Sequence, residues 1–455
     1  MTSSSIVGAL ACQKNSFLKS FKTVVVSCLE YVPAPEVSEK SKKAKGKKDI
    51  STLSLDDQPK QANYAIEFED TILFPEGGGQ PSDSGSIILP DESVITVSKV
   101  LRDKLSAKHI TTSPIEPGTP VTLKVDWEKR LDYMQQHTGQ HLLSAVFDTY
   151  NLETLSWAMG ENGKLNYIEL PKKVDDNVLA EVNKKVNDLI FDALPIGVVT
   201  PDSHGGEIDT SHIPDDYDLS KGIVRIVKIG ELDANPCCGT HLTSTSQIQA
   251  ISLLHQTNIR GGNSKLFFLC GSRVYKYLVE SNKIVKGAGS LLSCQSEEVT
   301  EKITQLNANY KKALSRESGL LKDIAGTEAK AFFEEFKSAT SENEKVEYSY
   351  RPDNNQEYMT LLQKELTTLV NTNKGSGVDL DKIHTVTILN GDYPSGTGGS
   401  VKIFGPRTEE IASEIKKRLS NIKGGGRGNS FQGKIPKYEK GELESVLQYL
   451  DQFRD

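Results

Sequence analysis

The alternation of apolar and polar positions changes rhythm along this chain. Up to about residue 125 it runs in short β-rich stretches, Thr23 to Cys28, Ala65 to Phe68, Ser86 to Leu89 and Val121 to Val125, punctuated by Gly, Pro and Asp. Such runs predict strands joined by tight turns, so residues 1–125 are expected to form a β-barrel or sandwich. Near Asp126 the period lengthens. Leu131, Met134, His141 and Ala145 recur at helical spacing and predict an amphipathic helix over 128–150. Helix and strand signals then alternate: Val178 to Leu189 reads as helix, Ile223 to Val227 and Leu266 to Leu269 as strands. Residues 126–285 are therefore expected to form an α/β or α+β domain.

From Glu297 to about Phe336 the chain is polar with an apolar stripe, Val299, Ile303, Leu306, Tyr310 and Leu314. That spacing predicts a long helix, one arm of a helical hairpin, within a linker spanning 286–344. Over 345–455, strand-like Glu347 to Tyr350, Thr385 to Leu389 and Ser400 to Phe404 alternate with helix-like Glu357 to Asn371, Glu409 to Leu419 and Glu442 to Phe453. A small C-terminal α/β domain is expected there. The whole reads as an α+β multidomain protein.

Composition narrows the class. A chain of 455 residues with 36% hydrophobic residues can bury several cores. The net charge of -7 excludes a uniformly basic coat for nucleic acid, so RNA contacts must come from local patches. One such patch lies between Glu414 and Lys440: eight basic residues against two acidic ones, with Lys423, Arg427 and Lys434 set among glycines. These suit phosphate contacts, and Phe431 beside them offers a stacking surface for a base. The Lys-rich stretch Glu39 to Lys48 has no large apolar residue and is expected to be a disordered loop. Six scattered cysteines suit a reducing compartment better than a disulfide scaffold. With no signal segment and no run of ~20 apolar residues, a cytoplasmic location without a membrane partner is expected.

The chemistry concentrates in two short segments. In His137-Thr-Gly-Gln-His141 two imidazoles sit at i and i+4, on one face of the predicted helix and within reach of one metal ion. In Asn235-Pro-Cys-Cys-Gly-Thr-His241, Cys237 and His241 share that spacing on what Pro236 and Gly239 mark as a turn. Three imidazoles and one thiolate form a tetrahedral set suited to a single Zn²⁺ ion. Cys238 is the rival to Cys237, and spacing alone does not choose. Thr138 stands where the glutamate of a HExxH protease would be, which disfavours that class. Gly139 costs a helix ~1 kcal/mol relative to Ala, which fits either a close approach to the helix or a tolerated glycine.

In this order, the two motifs resemble the editing domain shared by alanyl- and threonyl-tRNA synthetases. The whole chain resembles the free-standing alanyl-tRNA editing proteins, the AlaX family. The alanyl branch is favoured by Phe74-Pro-Glu-Gly-Gly-Gly-Gln-Pro-Ser-Asp-Ser-Gly85, by the Cys-Gly-Thr-His form of the second motif, and by Asn258-Ile-Arg-Gly-Gly262 followed by Leu266 to Gly271. Lys423-Gly-Gly-Gly-Arg-Gly428 with Ser430 to Gly433 is similar to the Gly-rich end of the synthetase C-terminal domain. The resemblance implies zinc on His137, His141, Cys237 and His241, and hydrolysis of the ester between a wrong amino acid, serine or glycine, and tRNA(Ala). It implies a substrate-pocket role for Gly77, Gly78, Gly79 and Arg260, and a tRNA-binding role for residues 345–455. Thr138, beside the ligands, and Ser156, where the family tends to place a hydroxyl, are candidates to recognise the serine hydroxyl. Each equally suits a local backbone hydrogen bond. No ATP-using aminoacylation domain is recognisable, so no ATP is expected. The rival readings are a zinc-stabilised RNA-binding module without catalysis and a zinc hydrolase of a small metabolite.

Overall fold

The computed structural model describes residues 4–32, 63–161, 163–200, 223–338, 345–392 and 398–453. The Lys-rich stretch lies outside them. The chain divides into two compact units, 1–284 and 285–455, and the fold is mixed α+β.

The first unit opens with a seven-stranded antiparallel sheet. Its spatial order is Val94–Val97, Gly85–Ile88, Pro120–Val125, Ser20–Tyr31, Asn63–Phe68, Ser106–Thr111, Lys99–Asp103. Among the described residues it is not the closed barrel the strand pattern suggested. The edge strands Val94–Val97 and Lys99–Asp103 are consecutive in the chain and separated only by Ser98. They are two halves of one bent segment, each paired with a different neighbour, and no ladder joins them. At the bend the Ser98 amide and hydroxyl both donate to Ile110 O, at 3.1 and 3.3 Å. Val25, Ile66, Phe68, Leu73, Ile87, Val100 and Leu123 fill the core of this sheet.

Trp127–Asp148 follows as a 22-residue helix, its first turn capped by the Asp126 carboxylate, which accepts from Lys129 N at 3.3 Å. It packs with the helix Asp176–Phe191 and with an antiparallel sheet ordered Ile251–Asn258, Ser264–Cys270, Asn166–Leu170, Ser156–Ala158. A three-stranded sheet, Ile196–Val199, Ile226–Ile229, Asp233–Pro236, carries the second sequence motif at its end. The expected strand at 223–227 therefore starts three residues later. The helix Ser272–Leu292 was not anticipated.

In the second unit the expected long helix is present as Val299–Lys337. Its apolar stripe behaves differently from the expectation. Ile303, Leu306, Tyr310 and Leu314 are exposed, while Leu321, Ala325, Ala329, Phe332, Phe333 and Phe336 do the packing against the helix Gln356–Thr372. The sheet of this unit is ordered Val346–Arg351, Thr385–Asp392, Gly398–Phe404, Ser430–Ile435, Lys423–Arg427, with only the first pair parallel. Leu389, Val401, Ile403 and Phe431 face the helices Thr408–Arg418 and Glu442–Asp451. Ile388 and Phe404, of opposite parity, face the other helix pair. Phe431 is thus a core residue, 4% exposed, with Lys416 Nζ 4.8 Å above its ring. It is not the free stacking surface its neighbourhood suggested. The Gly-rich stretch Lys423–Arg427 is an edge strand in a hairpin rather than a loose loop.

Candidate metal centre

The middle of the helix Trp127–Asp148 is buried although it reads Gln135, Gln136, His137, Thr138, Gly139, Gln140, His141. Buried polar groups need partners: the three glutamines, His137 and Thr138 are hydrogen-bonded, and His141 faces a carboxylate. Gln136 donates to Cys270 O at 2.9 Å and accepts from Cys270 N and Asn166 Nδ2 at 3.0 and 2.9 Å. Gln135 donates to Gln247 O at 3.1 Å. Gly139 is explained by close approach: a Cβ there would lie 2.3 Å from Cys270 Sγ.

His137, His141, Cys237 and His241 converge, with one ligand atom from each lying within 4.8 Å of the others. Cys237 Sγ lies 3.4 Å from His137 Nε2 and 3.3 Å from His241 Nε2. Tetrahedral zinc with these donors sets ligand atoms roughly 3.3–3.7 Å apart, so the donor set fits such an ion. Cys238 stays outside it, its sulfur turned toward Gly77 and Gly78, where added Cβ atoms would meet it at 3.8 and 3.5 Å. The electrostatics separate the two cysteines in the same sense. Burial pushes both thiols up, but the His137 and His241 rings overcome it at Cys237 and hold that thiol well below its usual range. At Cys238 burial and the neighbouring Cys237 outweigh the pull of Arg225 and Arg102, and the thiol is pushed up to about 11.

Thr138 apart, sequence reasoning did not single out the residues that aim these donors. Glu76 to Gln80 forms a tight turn, with Gly78 and Gly79 both at positive φ (59 and 80°) and Gly77 and Gln80 exchanging backbone hydrogen bonds at 3.1 Å. Positive φ at both central positions is what such a turn demands of its residues. The turn delivers Gln80, whose Oε1 accepts from His137 Nδ1 at 2.8 Å and from Thr240 N at 3.0 Å. Its Nε2 donates to Thr240 Oγ1 at 2.8 Å. With Nδ1 carrying the proton, Nε2 of His137 is left to ligate. Gly239 is obligatory beside it, since a Cβ there would meet His137 Cε1 at 2.3 Å. Arg225, 3% exposed, clamps the turn by donating to Cys237 O, Gly239 O and Gln13 O at 3.2, 2.9 and 2.8 Å. Asp233 Oδ2 faces His141 Nδ1 at 3.6 Å, a charge contact longer than a hydrogen bond.

Residues 224–266, which contain Cys237 and His241, match the threonyl and alanyl tRNA synthetase second additional domain. A Saccharomyces cerevisiae protein named putative alanyl-tRNA editing protein alaX is 39% identical over 98% of this chain and 96% of its own. The mouse alanyl-tRNA editing protein Aarsd1 is 32% identical, with 97% of each chain covered. This chain belongs to the alanyl-tRNA editing protein family. The archaeal AlaX-L protein of Pyrococcus horikoshii is 29% identical over 63% of this chain and 71% of its own.

The remaining candidates of this editing-family chain fall in different places. Thr138 is fully buried beside the donors, its hydroxyl accepting from Leu242 N at 3.1 Å and lying 3.3 Å from His241 Nδ1. It holds His241 as Gln80 holds His137. Ser156 is not brought to the cluster. Successive residues of a strand face opposite ways, and it is the next residue, Trp157, whose ring lies 4.9 Å from His137. The Ser156 hydroxyl is exposed and donates to Glu169 at 2.8 Å, an acceptor it shares with Asn263. Gly79 lies against Trp157, where a Cβ would come within 2.7 Å of the indole. Arg260 is exposed at the tip of the hairpin between Ile251–Asn258 and Ser264–Cys270. Lys423, Arg427 and Lys434 are exposed on the hairpin of the second unit. No helix among the described residues is long and apolar enough to cross a membrane.

Proposed function

We propose that this chain hydrolyses the ester linking serine, and glycine, to mischarged tRNA(Ala), with one Zn²⁺ held by His137, His141, Cys237 and His241. The convergence of these four donors in a chain of the editing family carries the reading. An alanine pocket cannot strongly reject glycine, which is smaller, or serine, which adds one hydroxyl, so a second site has to remove both products.

When bound, zinc supplies Lewis acidity toward the ester. The protein does the rest. Gln80 Oε1, which can only accept, fixes the tautomer of His137, Thr138 orients His241 through its Nδ1, and Asp233 backs His141. Trp157 and the Gly77–Gly79 turn wall the cluster, where bare backbone lets an aminoacyl group approach. Arg260 offers a cation to the RNA, and Lys423, Arg427 and Lys434 offer more on the second unit. On this reading residues 126–285 carry the deacylase, 345–455 contact tRNA, Thr138 acts by positioning His241, and Ser156 stays outside the chemistry.

A second reading has one observation behind it. Four protein donors are what structural zinc sites use, whereas catalytic sites usually keep a position open, so the cluster also suits an RNA-binding module without catalysis. Deacylation decides between them. Ser-tRNA(Ala), Ala-tRNA(Ala) and Ser-tRNA(Ser) are incubated with wild type and Cys237→Ala, and metal content is assayed in parallel. The expected result is rapid loss of serine from tRNA(Ala) alone, abolished with the metal in Cys237→Ala. Full metal occupancy with all three esters intact would sink the deacylase reading and favour the RNA-binding module.

A further inference from the structure

The second unit holds a cavity of about 560 Å³, lined by Asn354, Gln356, Ser400, Lys423, Gln432 and Lys434 with flanking Gly and Pro backbone. Its floor is the open half of the five-stranded sheet. Ser400, Gln432 and Lys434 share one face, opposite to the core residues Val401, Phe431 and Ile435. Its wall is the start of the 17-residue helix Gln356–Thr372, which Asn355 caps. Ser400 Oγ accepts from Gln356 Nε2 at 2.6 Å and so ties wall to floor.

The arrangement of charge needs explaining. Lys423 and Lys434 are directly opposed across the hairpin, a like-charge pairing that disfavours the strand pair. Neither has a carboxylate within 4.0 Å among the described residues. The helix start adds the positive end of its dipole. Behind Ser400, Asn390 is 1% exposed; its Oδ1 accepts from Ser400 N at 2.7 Å, while its Nδ2 has no partner among the described residues. Gly425, on the same side of the edge strand as Lys423, would meet nothing within 4 Å if it carried a Cβ. No internal contact requires glycine there, and a bare strand leaves room for a ligand's approach.

The geometry points to a nucleotide-phosphate site. Lys423 and Lys434 take a phosphate ester between them, and the amides of Asn354, Gln356 and Gln432, each with donors and an acceptor, meet the base. The cavity is several times larger than a phosphate alone requires. This deepens the tRNA-contact reading, on which it rests only for the source of the nucleotide: a residue of an RNA strand rather than a free mononucleotide.

Full-length protein is titrated with a fluorescently labelled single-stranded RNA hexamer, competed with AMP, adenosine and inorganic phosphate. AMP is expected to compete at least tenfold better than adenosine. Lys423→Gln and Lys434→Gln should each weaken the hexamer fivefold or more. Lys364→Gln, an equal loss of charge at an exposed position of the helix Gln356–Thr372 outside the cavity, should weaken it less than twofold. Thermal melts verify that the variants fold. A hexamer tighter than AMP supports the RNA-strand source, and a hexamer no tighter than AMP overturns it. Equal competition by AMP and adenosine, or a Lys364→Gln loss matching the variants at Lys423 and Lys434, overturns the site. If wild type cleaves no charged tRNA yet separates AMP from adenosine, the editing reading falls and this site stands. An active enzyme that does not separate them gives the converse.

Discussion

Gln80 reaches His137 with its Oε1 and Thr240, next to His241, with its Nε2, although it lies 57 residues before His137. Groups that hold the far nitrogen of a ligating imidazole typically contribute 10- to 100-fold in metal affinity. Gln80→Ala is therefore expected to lower zinc affinity by about that factor in chelator competition, with the fold intact. Unchanged affinity would remove Gln80 from the site. His109 gives a different kind of test. Its Nδ1–H donates to Ile66 O at 3.0 Å and its Nε2 accepts from Thr71 Oγ1 at 2.8 Å, so the fold holds it neutral. Burial pushes its pKa down from 6.5 to about 4. A base with a depressed folded pKa leaves stability intact above about pH 6.5 and loses it as pH falls toward 4, because the unfolded chain takes up the proton first. The loss reaches roughly 3 kcal/mol at full effect. Both tryptophans, Trp127 and Trp157, lie in the first unit. Their fluorescence in urea should show this pH slope in wild type and not in His109→Gln.

At this scale the juxtaposition of His137 and His141 was legible, because i, i+4 spacing on a helix is a geometric statement that needs no tertiary information. The choice of Cys237 over Cys238 was not. It depends on which way a turn held by Arg225 points two adjacent side chains. Gln80 was invisible for a related reason: a polar residue after glycines reads as a turn, and nothing local says what it reaches.

Among the elements, the helix Trp127–Asp148 bears most on the site, and Arg130 anchors it. Arg130 is fully buried and donates through Nε to both Asp83 oxygens at 3.0 Å, and further to Ser16 O and Ile72 O at 2.9 and 2.5 Å. This ties the ligand helix to the loop that follows the Gly-rich turn. Removing one partner leaves a buried charge unpaired, which costs about 3–5 kcal/mol. Arg130→Ala should lower the urea midpoint of the first unit accordingly and loosen zinc at the same time. An unfolding free energy unchanged within about 1 kcal/mol, on the order of a surface change, would contradict the anchoring role. Capped helices and β-branched strands could be read from the chain. The edge strand Lys423–Arg427 could not, because three glycines carry no period-2 signal and pair only because Ser430–Ile435 presents its backbone. The bend at Ser98 was hidden too, since strand propensity says nothing of which neighbour each half chooses.

For the molecule as a whole, charge is partitioned. The chain carries -7 overall, while the hairpin of the second unit presents Lys423, Arg427 and Lys434 to solvent. Every cation withdrawn from a phosphate lowers the slope of log affinity against log salt by about one. Replacing all three by Gln should flatten the log–log salt dependence of tRNA affinity by about three and raise KM for the charged tRNA, with zinc content unchanged. A slope equal to wild type would place the RNA surface elsewhere. The overall α+β class was legible from alternating rhythms. The expected boundary between residues 285 and 286 lies one residue from the division at 284 and 285, which falls inside the helix Ser272–Leu292, a helix the local pattern did not announce.

The separation of the donors along the chain also sets a clock. Cys237 follows His137 by 100 residues, and ribosomes add roughly 5–20 residues per second. During synthesis the first two imidazoles therefore wait about 5–20 s for the thiolate. Over that interval the polar middle of their helix lacks Cys270, Gln247 and Leu242, the partners that satisfy it when buried. Nascent chains arrested before residue 237 should neither retain zinc nor resist protease at this helix. Chains arrested with residue 270 clear of the exit tunnel should do both. An ion held by these four donors could in this sense stay only once the tertiary contacts around them have been translated.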